Sequence, residues 1–143
     1  MSARSFFDTN ILVYADDDDV PAKQRLARDL VYEHRRKRTG VVSLQVLQEY
    51  FVTATKKLKI DARRARRKVE LLSEFDVAMP DVADILAAID LHRLHSFSFW
   101  DALILRSAQQ SGCRVLLSED FQGGREIDGI QIVNPFRLGI DRQ

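Results

Sequence analysis

The stretch "SFWDALILRSAQQSGCRVLLSED" (residues 98–120) carries the pattern that decides the fold. Its first half is apolar on nearly every side of a helix until Arg106, which predicts a buried helix that ends at Gly112. The run "RVLL" (114–117) then has the length and composition of a short buried strand. A helix that leads directly into a strand is one unit of an alternating α/β domain.

The same alternation of strands and helices extends along the rest of the chain. Short apolar runs predict strands, and longer segments with helical spacing lie between them. We therefore predict a single α/β domain over residues 1–143, with a central, mainly parallel sheet of about five strands flanked by helices. The predicted strands cover residues 5–7, 40–42, 75–77, 114–117 and 130–133, and the predicted helices cover residues 21–38, 43–58, 61–72, 81–95 and 98–112.

Apolar stripes predict which helix faces turn toward the core. Ser43 is the expected N-cap of the helix at 43–58, and Trp100 is interpreted as a core residue, with a base-stacking platform as the alternative. The predicted core-facing positions are Leu47, Tyr50, Phe51, Ala54 and Leu58 in the helix at 43–58, and Val82, Ile85, Leu86 and Ile89 in the helix at 81–95.

Composition and charge exclude several classes of protein. Of the 143 residues 45% are hydrophobic, and the net charge is only +1. No run approaches the roughly 18–20 apolar residues that cross a bilayer, and residues 1–8 lack the apolar core of a signal peptide. The lone Cys113 excludes an internal disulfide, which is consistent with a cytoplasmic location. Basic residues crowd residues 34–38 and 56–68, which suggests a positive surface around an acidic pocket.

Four isolated acidic residues are predicted to lie on one edge of the sheet, the edge at which its parallel strands end. Asp8 and Asp120 follow predicted strands, Asp101 lies in the first turn of a helix, and Glu49 lies about two turns into another. Helices that return antiparallel to the strands begin where the strands end, and open α/β sheets bind ligands at that edge. Isolated carboxylates in apolar surroundings are unfavourable unless a cation neutralises them.

Each of these acids also has a purely structural explanation. Asp8 could cap a helix that begins at Asn10, and Asp101 completes a capping-box-like pattern with Ser98. Asp120 could be a turn residue. Glu49 lies roughly opposite the apolar stripe of its helix, where a solvated side chain is expected. Composition and spacing leave both explanations open.

The run Asp16–Asp19 is expected to be a solvated loop instead of a metal site. Neighbouring side chains in an extended segment point to alternating sides, so the four carboxylates cannot easily converge on one ion. Asp19 is the candidate cap for the helix that begins at Pro21. A zinc site formed by His92, His95 and Cys113 is a weaker alternative.

Four segments of the chain resemble PIN domains, and the resemblance is closest to VapC-type toxins of toxin–antitoxin pairs. They are "FFDTNILVYA", "QEYFVTATKKL", "SFSFWDALILRSAQQSGCRVLLSEDF" and "IVNPF", and the resemblance extends from about Phe6 to Phe136. PIN domains use an Asp in a D-T-N motif, a helical Glu, an Asp that opens a later helix and an Asp after a late strand. These residue types map onto Asp8, Glu49, Asp101 and Asp120.

The resemblance implies a metal-dependent endoribonuclease that acts with an antitoxin and forms a homodimer. Carboxylate ligands without His or Cys favour Mg²⁺ or Mn²⁺, held by the four acids, with Thr9, Asn10 and Ser118 in support. Ser118 replaces a threonine found in many relatives, and Glu119 adds a possible fifth ligand. The residues expected to bind RNA phosphates are Lys56, Lys57, Lys59, Arg63, Arg64 and Arg67, together with the basic group at 35–38; an ordinary solvated face is the alternative. An RNA-binding module with a weak site and a metal-dependent phosphatase are the alternative functions.

Overall fold

A six-stranded, mostly parallel sheet forms the centre of the computed structural model, which describes residues 3–121 and 124–137. The strands lie in the order β3-β2-β1-β4-β6-β5. All neighbouring pairs are parallel except β5 and β6. The strands are β1 (Ser5–Phe7), β2 (Gly40–Ser43), β3 (Asp76–Ala78), β4 (Val115–Leu117), β5 (Glu126–Ile127) and β6 (Ile130–Val133).

The predicted α/β fold is confirmed, and one strand was missed. Strand β5 has only two residues and pairs with β6 through an Asp-Gly turn. Asp128 and Gly129 have φ angles of 49° and 88°, as a tight hairpin turn with two left-handed residues requires. So short a strand shows no alternation of apolar and polar residues that a sequence pattern could detect.

Helices surround the sheet, and the five predicted ones occur within a few residues of their expected bounds. Ser43 and Ser98 each cap a helix by accepting a hydrogen bond from a backbone N–H in the first turn. The helices are α1 (Thr9–Tyr14), α2 (Pro21–Lys37), α3 (Leu44–Lys56), α4 (Ala62–Leu72), α5 (Val82–His95) and α6 (Phe99–Gln110).

The core lies between the sheet and the apolar faces of α3 and α6. The strand residues Phe6, Phe7 and Leu116 are completely buried. In α6 residues 102–105 are all buried, as the stretch at 98–120 predicted. In α3 the predicted positions Leu47, Tyr50 and Ala54 are buried, and the other two pack partly against the core.

The prediction of which face of α5 packs against the core is wrong. Val82 and Leu86 are 71% and 58% exposed, and Ile85 and Ile89 are 39% exposed. Instead α5 turns its Asp84–Ala88–Leu91 face toward the protein. An acid is tolerated there because the Asp84 carboxylate accepts hydrogen bonds from Arg106 of α6 and from the Asp81 backbone N–H. An apolar stripe on a helix therefore does not always face its own core.

Two other expectations are corrected. Trp100 is not a core residue, because it is 59% exposed. Asp16 is not simply solvated: its carboxylate accepts hydrogen bonds from the Tyr50 hydroxyl at 2.6 Å and Lys68 Nζ at 3.3 Å. Asp19 is exposed and does not cap α2, whose N-cap is Val20 without a side-chain hydrogen bond.

None of the described helices is long and apolar enough to cross a membrane.

Candidate active site

Asp8 lies at the exit of β1, where the strand turns into α1. Its side chain caps α1 by accepting a hydrogen bond from the Thr9 backbone N–H at 2.7 Å. The carboxylate is nearly inaccessible, since the residue is only 3% exposed. Its second oxygen accepts a hydrogen bond from the Ser118 hydroxyl at 2.6 Å. The capping explanation is therefore correct, but it accounts for only one of the two carboxylate oxygens.

Ser118 connects Asp8 to Asp120, because β1 and β4 are neighbouring parallel strands that end side by side. The Ser118 hydroxyl that donates to Asp8 also accepts a hydrogen bond from the Asp120 backbone N–H at 3.1 Å. Asn10 Nδ2 approaches Asp8 Oδ2 at 3.4 Å, and Asn10 Oδ1 accepts from the Glu119 backbone N–H at 3.1 Å. The two strand exits are thus joined by polar contacts.

Thr9 connects the same group to α3. Its hydroxyl donates to Glu49 Oε1 at 2.7 Å, which aims the Glu49 side chain at the strand exits. The other Glu49 oxygen accepts from Gln45 Nε2 at 3.2 Å, and the same amide donates to the Trp100 carbonyl at 3.3 Å. Trp100 directly precedes Asp101 in the first turn of α6. A continuous series of hydrogen bonds therefore joins the segments that carry all four acids.

The electrostatics of the site place Asp101 within range of the other three carboxylates. Burial raises the pKa of Asp8 to about 7, and the charges of Asp120 and Asp101 contribute to the rise. Burial is also the main reason why the pKa of Asp101 is raised, and repulsion from Asp120 and from Glu49 raises this pKa further. Within residues 3–121 and 124–137, no Lys, Arg or His forms an ion pair with any of the four. The site has an unneutralised negative charge.

The donor set suits a hydrated divalent cation better than a closed metal cage. No three carboxylate, imidazole or thiolate groups of the described residues already surround a single position that could hold an ion. Mg²⁺, however, keeps several water ligands and commonly takes only one or two carboxylates directly. Gln45 Oε1 is buried and has no hydrogen-bond partner in the described chain, while its Nε2 donates to Glu49. Gln45 was not predicted; its position one turn before Glu49 is the only sequence signal for it.

The chain matches the family model described as "PIN domain" over residues 5–125. It belongs to the PIN domain family. No curated protein matches it in sequence.

Solved structures of toxin–antitoxin proteins share the fold of this PIN domain. A toxin–antitoxin complex from Klebsiella pneumoniae has a TM-score of 0.67 and 23% identity, with 92% of this chain and 97% of that chain covered. The toxin VapC20 of Mycobacterium tuberculosis, described as cleaving the sarcin-ricin loop, has a TM-score of 0.67 and 18% identity, covering 81% and 91%. DNA-bound VapBC of Salmonella typhimurium has a TM-score of 0.66 and 18% identity, covering 92% and 97%.

A groove of about 720 Å³ opens beside two of the four acids of this PIN domain, and Asp8 and Asp101 are not among the residues that line it. Glu49 and Asp120 line it together with Thr9, Asn10 and Lys57. Its remaining wall is partly apolar. The other side chains that line it are those of Val13, Tyr14, Asp17, Val20, Gln48, Val52, Thr53 and Glu119.

Among the six residues predicted to bind RNA, Lys57 alone lines this groove. Lys56 and Lys59 are exposed near the end of α3. Arg63, Arg64 and Arg67 lie on α4, where they line a separate surface hollow with Glu70 and Glu74. Of the predicted phosphate contacts, Lys57 therefore lies beside the acids and the others lie further along the surface.

The basic group at 35–38 lies at the opposite edge of the sheet, where the parallel strands begin. Helix α2 begins near the acids, and its 17 residues correspond to a length of roughly 25 Å. Arg35, Arg36 and Arg38 line a hollow with Gly40 and Asp76, the first residues of β2 and β3. The group that was expected to track an RNA backbone is therefore remote from the acids.

Proposed function

We propose that this PIN domain is a metal-dependent endoribonuclease and the toxin of a VapBC-type pair. The observation that carries the proposal is the hydrogen-bonded series through Ser118, Thr9 and Gln45, which joins the segments that carry the four acids at one sheet edge. Membership of the PIN family supports a nuclease. The fold shared with toxin–antitoxin structures supports the biological setting.

In this proposal Asp8 and Asp101 hold the principal Mg²⁺ or Mn²⁺, and Asp120 and Glu49 bind directly or through water. Bound there, the ion supplies Lewis-acid stabilisation of phosphodiester oxygens and a lower pKa for the attacking water. Thr9 and Gln45 fix both oxygens of Glu49, so that this side chain needs no rearrangement when a substrate arrives. Ser118 and Asn10 fix the orientation of Asp8.

The groove suits an RNA strand and also a protein inhibitor. Lys57 is placed to contact a phosphate of a strand that lies over Glu49 and Asp120. Val13, Val20 and Val52 line the same groove, so an antitoxin segment could combine an apolar face with a basic side chain directed at the acids. Such a partner would neutralise the site and exclude RNA from it.

The outward face of α5 suits a second copy of this chain. Val82, Ile85, Leu86 and Ile89 recur at helical spacing and are all substantially exposed. A continuous apolar face of this kind marks an interaction surface, and two copies can bury it around a two-fold axis with identical contacts on both sides. We therefore propose a homodimer that forms through α5.

The test is cleavage of RNA by the purified protein with and without EDTA. We expect cleavage in Mg²⁺ or Mn²⁺ that stops in EDTA, returns when the metal is restored, and leaves 5′-phosphate ends. Cyclic 2′,3′-phosphate ends formed without metal would refute the proposed chemistry. Sequencing of RNA ends after brief expression in cells would then identify the target.

The same preparation distinguishes the two alternative functions. A PIN-like RNA-binding module would bind RNA without cutting it and would bind no Mg²⁺ in a manner sensitive to Asp8→Ala. A metal-dependent phosphatase would hydrolyse a small phosphoester faster than RNA and would not depend on Lys57.

A further inference from the structure

Glu119, the additional acid between Ser118 and Asp120, is turned away from the four acids. Its carboxylate oxygens are both occupied: Tyr14 donates to Oε1 at 2.7 Å and Lys23 donates to Oε2 at 2.5 Å. A carboxylate whose charge an ammonium already balances is a poor candidate for a metal ligand, whereas, among the described residues, Asp8 and Glu49 accept hydrogen bonds only from neutral donors.

The contacts of Lys23 draw distant parts of the chain together around Glu119. Lys23 belongs to the first turn of α2, and its ammonium lies 4.7 Å from the ring centre of Tyr14 and 5.3 Å from that of Phe136. The two rings pack edge to face at 5.0 Å. Lys23, Glu119 and Tyr14, here called the Lys23 cluster, thus link the end of α1, the start of α2 and the exit of β4.

The position of Asp120 depends on its backbone. Within residues 3–121 and 124–137, the Asp120 carboxylate accepts no hydrogen bond, whereas its backbone N–H donates to Ser118. The preceding residue, Glu119, is fixed at two points. Its backbone N–H donates to Asn10 Oδ1, and its carboxylate belongs to the Lys23 cluster. The contacts that fix Glu119 therefore also determine the position of the exposed Asp120 carboxylate.

We propose that the Lys23 cluster positions Asp120 for the metal site and that Glu119 is a positioning residue, not a fifth ligand. This inference rests on the proposed metal-dependent function. It predicts that removing the positive charge of Lys23 weakens cation binding, although charge alone would predict the opposite, since Lys23 repels a cation. If Lys23 acts by positioning Asp120, removing its charge weakens cation binding. If Lys23 acts only through its charge, the same change strengthens cation binding.

The experiment compares Lys23→Met, Glu119→Gln, their double variant and Asp120→Asn with the wild-type protein. Methionine keeps a long unbranched side chain without the charge, and glutamine preserves the size of the carboxylate. Arg35→Met is the matched control, because it removes an exposed ion pair with Glu74, of 2.7 Å, at the opposite sheet edge. Amide hydrogen exchange of residues 118–121 is measured in the metal-free proteins, and Mn²⁺ affinity is measured by isothermal titration.

We expect Lys23→Met to speed exchange of the Glu119 and Asp120 amides roughly three- to tenfold and to weaken Mn²⁺ binding about tenfold. The double variant should be no worse than the more affected single variant, because both substitutions break one contact. Arg35→Met should change neither quantity.

Two results would overturn the inference. Unchanged exchange or unchanged Mn²⁺ affinity in Lys23→Met would show that the cluster does not position Asp120. Tighter Mn²⁺ binding in Lys23→Met, with a loss in Glu119→Gln as large as in Asp120→Asn, would make Glu119 a ligand. If the wild-type protein binds no Mn²⁺, the proposed function fails, while the exchange measurement still decides whether the cluster fixes the loop.

Discussion

The Ser118 hydroxyl donates a 2.6 Å hydrogen bond to Asp8, a residue 110 positions earlier in the chain. The contact exists because β1 and β4 are adjacent and parallel, so that Phe7 pairs with Leu117 and the next residue of each strand leaves the sheet at the same edge. Ser118 also accepts from the Asp120 backbone. One hydroxyl thus sets the relative position of two of the four acids.

Asp101→Asn should abolish RNA cleavage while it spares the fold. Asparagine keeps the size of the side chain, and Ser98 still caps α6 by accepting from the backbone N–H of residue 101. Loss of a ligand that holds the metal should lower kcat/KM at least about a hundredfold. The measurement is cleavage of a defined RNA, with circular dichroism to check the fold and Asp90→Asn, on exposed α5 surface, as the control. Cleavage at the wild-type rate would reduce Asp101 to a structural residue.

The metal-free protein should lose stability between pH 4 and pH 7 because of Asp8. Burial raises its pKa from 3.8 to about 7 in the folded protein, so the folded state retains a proton that the unfolded chain releases. The free energy of unfolding therefore falls as the pH rises through this window, and the loss is complete above pH 7.

Asp8→Asn removes this titration and should make the metal-free protein more stable than wild type at pH 8, by roughly 1–3 kcal/mol. Urea unfolding in EDTA at pH 5 and pH 8 measures the effect, and Asp90→Asn serves as the control. An equal pH dependence of the free energy of unfolding in Asp8→Asn and wild type would show that ionisation of Asp8 destabilises the folded protein very little.

Leu86→Glu should dissociate the proposed homodimer. Leu86 is 58% exposed at the centre of the apolar face of α5, and two buried carboxylates would face each other across a two-fold axis. We expect the dimer dissociation constant to rise at least about tenfold, which corresponds to about 1.4 kcal/mol. Sedimentation equilibrium measures it, with Tyr32→Glu on α2, where Tyr32 is 69% exposed, as the control. A monomeric wild-type protein, or equal effects of both substitutions, would exclude this interface.

Lys57→Gln should weaken RNA binding more than Arg36→Gln. Lys57 lines the groove beside Glu49 and Asp120, whereas Arg36 lies at the opposite sheet edge. Removing one phosphate contact should reduce the slope of log affinity against log salt by about 1. Binding is measured at several salt concentrations in the Asp101→Asn background, so that RNA is not cut. Similar losses for both substitutions would indicate a diffuse electrostatic attraction.

Sequence patterns predicted the elements that are buried on most sides. Helix α6 is apolar on nearly every side up to Arg106 and strand β4 is apolar throughout, so their burial does not depend on which neighbour covers them. Strand β5 was missed because two residues carry no periodicity. The apolar stripe of α5 was assigned to the wrong side, because a period shows that a helix has an apolar face but not what covers that face.

The chain by itself determined the order of strands and helices and therefore the edge of the sheet at which Asp8, Asp101 and Asp120 lie. That much follows because parallel strands separated by helices must all end on one side. Only the tertiary structure decided that Thr9 and Gln45 aim Glu49 at that edge, that Glu119 turns away toward Lys23, and that the basic end of α2 lies at the far edge. Local patterns cannot contain this information, because each of these contacts joins side chains from separate elements whose approach is set by packing of the whole domain.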